Sequence, residues 1–132
     1  MAGSFLDSNV LLYLASADPL KANRAETVLA AGGTISVQVL DEVASVARRK
    51  MTMSWDEVRA FISGLRALLE TIPLTISVHD RGLELAERYG LSIYDTLIVA
   101  AALEAGCDTL YSEDMQHGMR IGESLTIVNP FV

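Results

Sequence analysis

The sequence predicts an α/β fold, a central and mostly parallel sheet flanked by helices in three layers. Three observations predict it. Short β-prone runs alternate with helix-period stretches from end to end, with no internal repeat and no linker between them. Half of the 132 residues are apolar (51%) and a fifth are charged (20%), enough for one compact core and too ordered a composition for a disordered chain. The opening apolar run ends in Asp7-Ser8-Asn9 and passes at once into helical spacing from Val10 to Leu14. A buried strand that hands over directly to a helix is the unit from which parallel sheets are built.

Taken in order, the first strand ends at Leu6. Asp18-Pro19 opens a helix over 20–31, because proline suits a first turn, and Gly32-Gly33 stops it. Residues 34–37 form a second strand. Helical periodicity then runs over 38–50, with Val39, Val43, Val46 and Ala47 on one face. Ser54-Trp55-Asp56-Glu57 has the form of a capping box and opens a long helix to Glu70, whose apolar side is Phe61, Ile62, Leu65, Leu68 and Leu69. Pro73 ends it, and the alternation over 74–78 predicts a strand. A helix over 79–89, with Leu83, Leu85 and Ala86 inward, stops at Gly90. The helix over 92–105 is apolar all round, which places it centrally or at a subunit contact. A strand over 109–112, a polar loop over 113–122 and a last strand over 125–128 complete the chain as a single domain, 1–132.

Composition narrows the function. No apolar run reaches the ~18 residues of a membrane span, and Met1-Ala2-Gly3-Ser4 lacks the basic and apolar regions of a signal peptide. The one cysteine, Cys107, cannot form an internal disulfide, so a cytoplasmic protein is expected. Net charge is −7, and residues 73–132 carry 3 basic against 9 acidic side chains. That argues against broad, charge-driven nucleic-acid binding but not against a nuclease whose acidic site holds cations.

Four carboxylates then call for a reason. Asp7 and Asp114 follow strands directly. Asp95 lies in the first turn of the apolar helix, on the face of Ile98, Val99 and Ala102. Glu42 flanks the apolar stripe of its helix, whereas Asp41 falls opposite and is solvated. Each taken singly reads blandly: a snorkelled surface glutamate, a helix-dipole aspartate behind the Ser92 cap, a turn aspartate. In a parallel sheet, however, all four reach the carboxyl edge, where ligands of such sheets collect. At about 5 Å and an effective dielectric of ~20, each pair would repel by roughly 3 kcal/mol. Raised pKa values or a hard cation must offset that, and all-oxygen ligands suit Mg2+ or Mn2+. Ser8, Asn9 and Ser112 are placed to orient the acids.

The runs Asp7-Ser8-Asn9-Val10-Leu11, Ser36-Val37-Gln38-Val39-Leu40-Asp41-Glu42, Tyr94-Asp95-Thr96-Leu97-Ile98-Val99-Ala100-Ala101-Ala102, Leu110-Tyr111-Ser112-Glu113-Asp114-Met115 and Asn129-Pro130-Phe131 together resemble PIN-domain ribonucleases, the VapC-type toxins of toxin–antitoxin pairs in particular. The resemblance spans essentially the whole chain. It implies a PIN-like fold, usually dimeric, and Mg2+- or Mn2+-dependent hydrolysis of single-stranded RNA. It further implies Asp7, Glu42, Asp95 and Asp114 as catalytic metal ligands, Asn9 and Ser112 as supporting polar groups, and a cognate antitoxin that blocks the site. Glu113 is a less certain acidic neighbour.

Two other classes were weighed. A phosphotransfer domain would need a lysine late in the chain, and the lysines are Lys21 and Lys50. A non-catalytic, partner-binding module would use the apolar helix but leave four converging acids unexplained. Cys107 reads as a small buried hydrophobe and His79 and His117 as surface residues. Arg48, Arg49 and Lys50 close a helix, where cations suit the dipole, and are the candidates for RNA-backbone contact. Met51, Met53 and Trp55 are expected to serve packing or a dimer contact.

Overall fold

The computed structural model describes residues 3–132; Met1 and Ala2, on which part of the reading of the N-terminus rests, lie outside the described residues. The described strands β1 (Ser4–Leu6), β2 (Thr34–Ser36), β3 (Glu70–Ile72), β4 (Thr109–Tyr111), β5 (Arg120–Ile121) and β6 (Leu125–Val128) form one sheet in the order β3-β2-β1-β4-β6-β5. Every neighbouring pair is parallel except β5 against β6. The helices are α1 (Ser8–Leu12, continued by a 3-10 turn at Tyr13–Ala15), α2 (Pro19–Ala30), α3 (Val37–Arg49), α4 (Trp55–Leu68), α5 (Ile76–Tyr89) and α6 (Ile93–Glu104). The α/β, mostly parallel, helix-flanked architecture is the one the alternation predicts.

The topology places the site. The chain lays β1 in the middle, steps one way to β2 and β3, then returns to put β4 on the other side of β1. The direction of winding reverses between β1 and β4, and a crevice opens outside their carboxyl ends. Leu6 pairs with Tyr111, and the Asp7 N–H donates to the Tyr111 carbonyl at 2.9 Å. Asp7 and Ser112 therefore leave the sheet at the same level, at the mouth of that crevice.

The central strands are covered on both faces: Phe5, Leu6, Ile35, Leu110 and Ile127 are fully buried. Burial on both faces gives β1 its consecutive apolar pair Phe5-Leu6, whereas Thr34-Ile35-Ser36 and Leu125-Thr126-Ile127 still alternate polar with apolar residues. Helix α6 is the buried helix expected, with Thr96 and Ile98 to Ala102 inside, and α5 packs along it. The approach is close at Gly82, where a Cβ would stand 2.9 Å from Leu97 Cδ2.

Four expectations are corrected. The long helix ends at Leu68, not Glu70, because Leu69 turns extended and Glu70–Ile72 pairs with β2 as an edge strand. The run 74–78 is no strand: the Thr75 hydroxyl accepts from the Val78 N–H at 3.1 Å and caps α5, so Ile76 to Val78 form its first turn. Its alternation misled because Leu74 and Ile76 are 47% and 76% exposed, so of its alternating apolar residues Val78 alone is buried. Leu68 and Leu83, expected inward, are 63% and 50% exposed, and the polar loop holds the short strand β5. Among the described residues, no helix is long and apolar enough to cross a membrane.

Candidate active site

Asp7, Glu42, Asp95 and Asp114 all line one cleft of about 260 Å³ at the carboxyl edge, together with Ser8, Ser45, Val46, Arg49 and Ile98. Four different elements deliver the acids. Asp7 is the last residue before α1 and caps it, its Oδ1 accepting from the Ser8 N–H at 2.7 Å. Ser36 ends β2 and caps α3 through the Val39 N–H, which starts the helix that carries Glu42. Ser92 caps α6 and accepts from the Asp95 N–H at 3.2 Å, fixing Asp95 in the first turn. Asp114 follows β4 in the loop, and its N–H donates to the Ser112 hydroxyl at 3.2 Å. Asp7 is thus at once a helix cap and a cleft acid.

The polar neighbours tie the acids to one another. The buried Ser112 hydroxyl donates to Asp7 Oδ2 at 2.8 Å, and the Ser8 hydroxyl donates to Glu42 Oε1 at 3.0 Å. Asn9 Nδ2 reaches Asp114 Oδ2 at 3.0 Å and Asp7 Oδ2 at 3.3 Å, so one amide spans two carboxylates. Sequence reasoning missed Gln38. It is buried, one helical turn before Glu42, and its Nε2 donates to Glu42 Oε2 at 3.3 Å and to the Tyr94 carbonyl at 3.1 Å. Its Oε1 is buried and has no partner among the described residues. The available signal was a glutamine next to Val39, inside an apolar stripe and four residues before an acid.

The electrostatics follow from burial. Asp7 is only 4% exposed, and its carboxyl is pushed up from 3.8 to about 6. Burial is the main cause; the Ser112 and Ser8 hydrogen bonds oppose it, and the charges of Glu42 and Asp114 add to it. Asp95 is also raised, by burial first and then by Asp114, against the bond from Ser92. Both shifts say that negative charge here lacks a counter-charge.

A hard cation fits this donor set with water in its shell. The donors are all oxygen, the acids are uncompensated, and the cleft has room for several waters at about 30 Å³ each. Among the described residues, no three Asp, Glu, His or Cys side chains are drawn together tightly enough to grip an ion directly. Magnesium does not require that, since it keeps several waters and takes one or two carboxylates.

The three basic candidates diverge. Arg49 lines the cleft, with its Nε donating to the Ser45 hydroxyl at 3.2 Å. Arg48 lies over the Trp55 ring at 4.5 Å and donates to the Met53 carbonyl. Lys50 lines a more apolar hollow with Leu12, Tyr13 and Met51. Cys107 is buried, and burial pushes its thiol up. His79 and His117 are exposed, and His117 Nδ1 accepts from the Asn129 N–H at 2.9 Å.

The PIN domain matches residues 4–118 of the chain. The chain belongs to the PIN-domain family. Among solved structures this PIN domain is similar to VapC20 of Mycobacterium tuberculosis, a toxin that cleaves the sarcin–ricin loop (TM-score 0.69, 18% identity, 84% of this chain and 89% of that one). It is similar also to a toxin–antitoxin complex from Klebsiella pneumoniae (0.73, 20%, 96% and 97%) and to DNA-bound VapBC from Salmonella typhimurium (0.70, 18%, 96% and 97%). At such identities the likeness is one of fold. Comparison with curated proteins gives no match.

Proposed function

We propose that this PIN domain is an Mg2+- or Mn2+-dependent endoribonuclease acting on single-stranded RNA in the cytoplasm, the toxin of a toxin–antitoxin pair. The observation that carries the reading is the burial of Asp7 in a cleft shared with three further carboxylates. Without a cation, the like charges at this edge would be offset only by the raised pKa values of Asp7 and Asp95 and by Arg49 on the cleft wall. One or two of Asp7, Glu42, Asp95 and Asp114 would hold the cation directly, and the others through its water shell. When bound, it activates water at neutral pH and stabilises the charge that develops on the phosphate.

The chain's own groups do the rest. Ser112 and Ser8 keep Asp7 turned into the cleft, and Ser8 and Gln38 hold Glu42 from two sides. Asn9 keeps Asp7 and Asp114 in fixed relation. Arg49 lies on the cleft wall, where a phosphodiester would meet it, and we assign it the backbone contact ahead of Arg48 and Lys50. Solved complexes of fold neighbours, which pair toxin with antitoxin, support a cognate antitoxin as partner. A homodimer is the expected assembly.

The test is cleavage of a single-stranded RNA with Mg2+ or Mn2+ and with EDTA. Wild-type protein should cut only with the cation. Asp7→Asn and Asp95→Asn should lose at least about a hundredfold, the scale of an essential charge-stabilising group, with circular dichroism unchanged. Undiminished cleavage in EDTA would sink the metal mechanism.

A further inference from the structure

Glu113 is the acid of the β4 loop that the cleft does not take. Its carboxylate turns the other way. Oε1 accepts from the Tyr13 hydroxyl at 2.5 Å, and Oε2 from the Lys21 ammonium at 3.1 Å. Lys21 also donates to the Tyr13 hydroxyl at 3.0 Å and lies 4.4 Å from the centre of the Tyr13 ring. Phe131 closes the arrangement, edge-on to Tyr13 at 4.6 Å. The 3-10 turn after α1 and helix α2 thus converge on the Glu113 carboxylate, and the segment after β6 packs behind Tyr13 and Lys21.

The backbone of the same residue faces the cleft. The Glu113 N–H donates to Asn9 Oδ1 at 3.0 Å. That bond decides which way the Asn9 amide is turned: with Oδ1 taken, Nδ2 must face Asp114 and Asp7. Glu113 also lies between Ser112, whose hydroxyl holds Asp7, and Asp114 itself. Any displacement of Glu113 is passed to both.

We infer that Lys21, Tyr13 and Glu113 form a clasp that positions Asn9 and Asp114 for cation binding, with Glu113 as a positioning residue and not a ligand. The inference rests on the metal-dependent reading of the cleft. A stability role alone does not account for the arrangement. Lys21 and Glu113 are a partly exposed ion pair, with side chains 37% and 28% exposed, and such pairs contribute little to folding. Two partners for one surface carboxylate, themselves joined by a hydrogen bond, make sense if what they fix is the placement of the loop. Groups that orient ligands from behind typically alter metal affinity or activity by about 10- to 100-fold.

The test uses Mn2+ alone, without RNA. Its affinity is measured by titration calorimetry for wild type, Lys21→Met, Tyr13→Phe, Lys21→Arg and Glu113→Ala, with thermal melts of each in EDTA. Wild type should bind, and Lys21→Met and Tyr13→Phe should each bind about tenfold more weakly. Their EDTA melts should stay within a few degrees of wild type, and Lys21→Arg, which keeps the cation, should recover most of the affinity. Wild-type affinity in Lys21→Met and Tyr13→Phe, with loss in Glu113→Ala alone, would make Glu113 a ligand and overturn the clasp. So would a large fall in the EDTA melts together with no recovery in Lys21→Arg, which is the signature of a structural role. If wild type itself binds no Mn2+, the metal reading falls and takes the clasp with it.

Discussion

Asp7 shows what a buried acid does to the fold that contains it. Its carboxyl titrates at about 6 in the folded chain against 3.8 when unconstrained, so the fold favours its protonated form. Below pH 3.8 both states hold the proton and the stabilising contribution is fully present. Between 3.8 and about 6 the unfolded chain gives up its proton first, and stability falls as pH rises. Above that the loss is complete, at about 3 kcal/mol for a shift of this size. Calorimetric melts in EDTA should therefore show a Tm component that declines from pH 4 to pH 7 and is missing in Asp7→Asn. Millimolar Mg2+ should raise Tm at pH 7, and less so in Glu42→Gln. A flat wild-type profile in EDTA would mean that Asp7 is not held charged against its burial. Asp7, Glu42, Asp95 and Asp114 were legible from the sequence as acids at one sheet edge because carboxylates after strands and at helix starts have few places to go. Gln38 and the Lys21–Tyr13–Glu113 group were not, because amides, tyrosines and exposed lysines fit many surroundings and only their partners single them out.

At the scale of elements, caps carry much of the local instruction. Ser36, Ser54, Thr75 and Ser92 each accept from the N–H three residues on, and each begins a helix. Ser54 completes a capping box with Glu57, as its spacing predicts. Ser36 and Thr75 are the two of these caps overlooked, and Thr75 is behind the false strand over 74–78. The strands overlooked, β3 and β5, have three and two residues and lie at the two edges of the sheet, so burial imprints little pattern on them. The turn from α2 into β2 is under tighter constraint. Gly33 has φ +156°, and a Cβ there would meet Leu6 Cδ1 at 2.5 Å and the Ser4 carbonyl oxygen at 3.0 Å. Leu6 could shift, but the Ser4 oxygen is backbone of β1. Gly33→Ala should therefore destabilise by roughly 1–3 kcal/mol, the range of overpacking. In urea it should lower the midpoint without changing the slope. Gly82→Ala, whose near contact is the flexible end of Leu97, should cost less.

The whole molecule sets the terms on which a polyanion can approach. With net charge −7 and its acids gathered at the cleft, the chain repels RNA at long range. On the proposed reading, attraction comes from a bound cation and from the few basic side chains within reach. Arg48, Arg49 and Lys50 are consecutive, which made them read as one cluster. Successive helix positions differ by about 100°, and the three in fact face different surroundings. The expected consequence is a weak salt dependence. For single strands, log K falls with log salt by about 0.7 per phosphate neutralised, so a slope near −1 to −2 is expected where a basic nucleic-acid binder shows several times that. Binding of a short single-stranded RNA by Asp95→Asn protein, followed by fluorescence anisotropy from 50 to 300 mM salt in roughly millimolar Mg2+, measures it. Adding Arg49→Gln should flatten the slope by about 0.7, whereas Arg48→Gln should leave it in place. Equal effects of the two changes would mean that RNA runs along the end of α3 and not through the carboxylate cleft, and that Arg49 has no privileged place in binding.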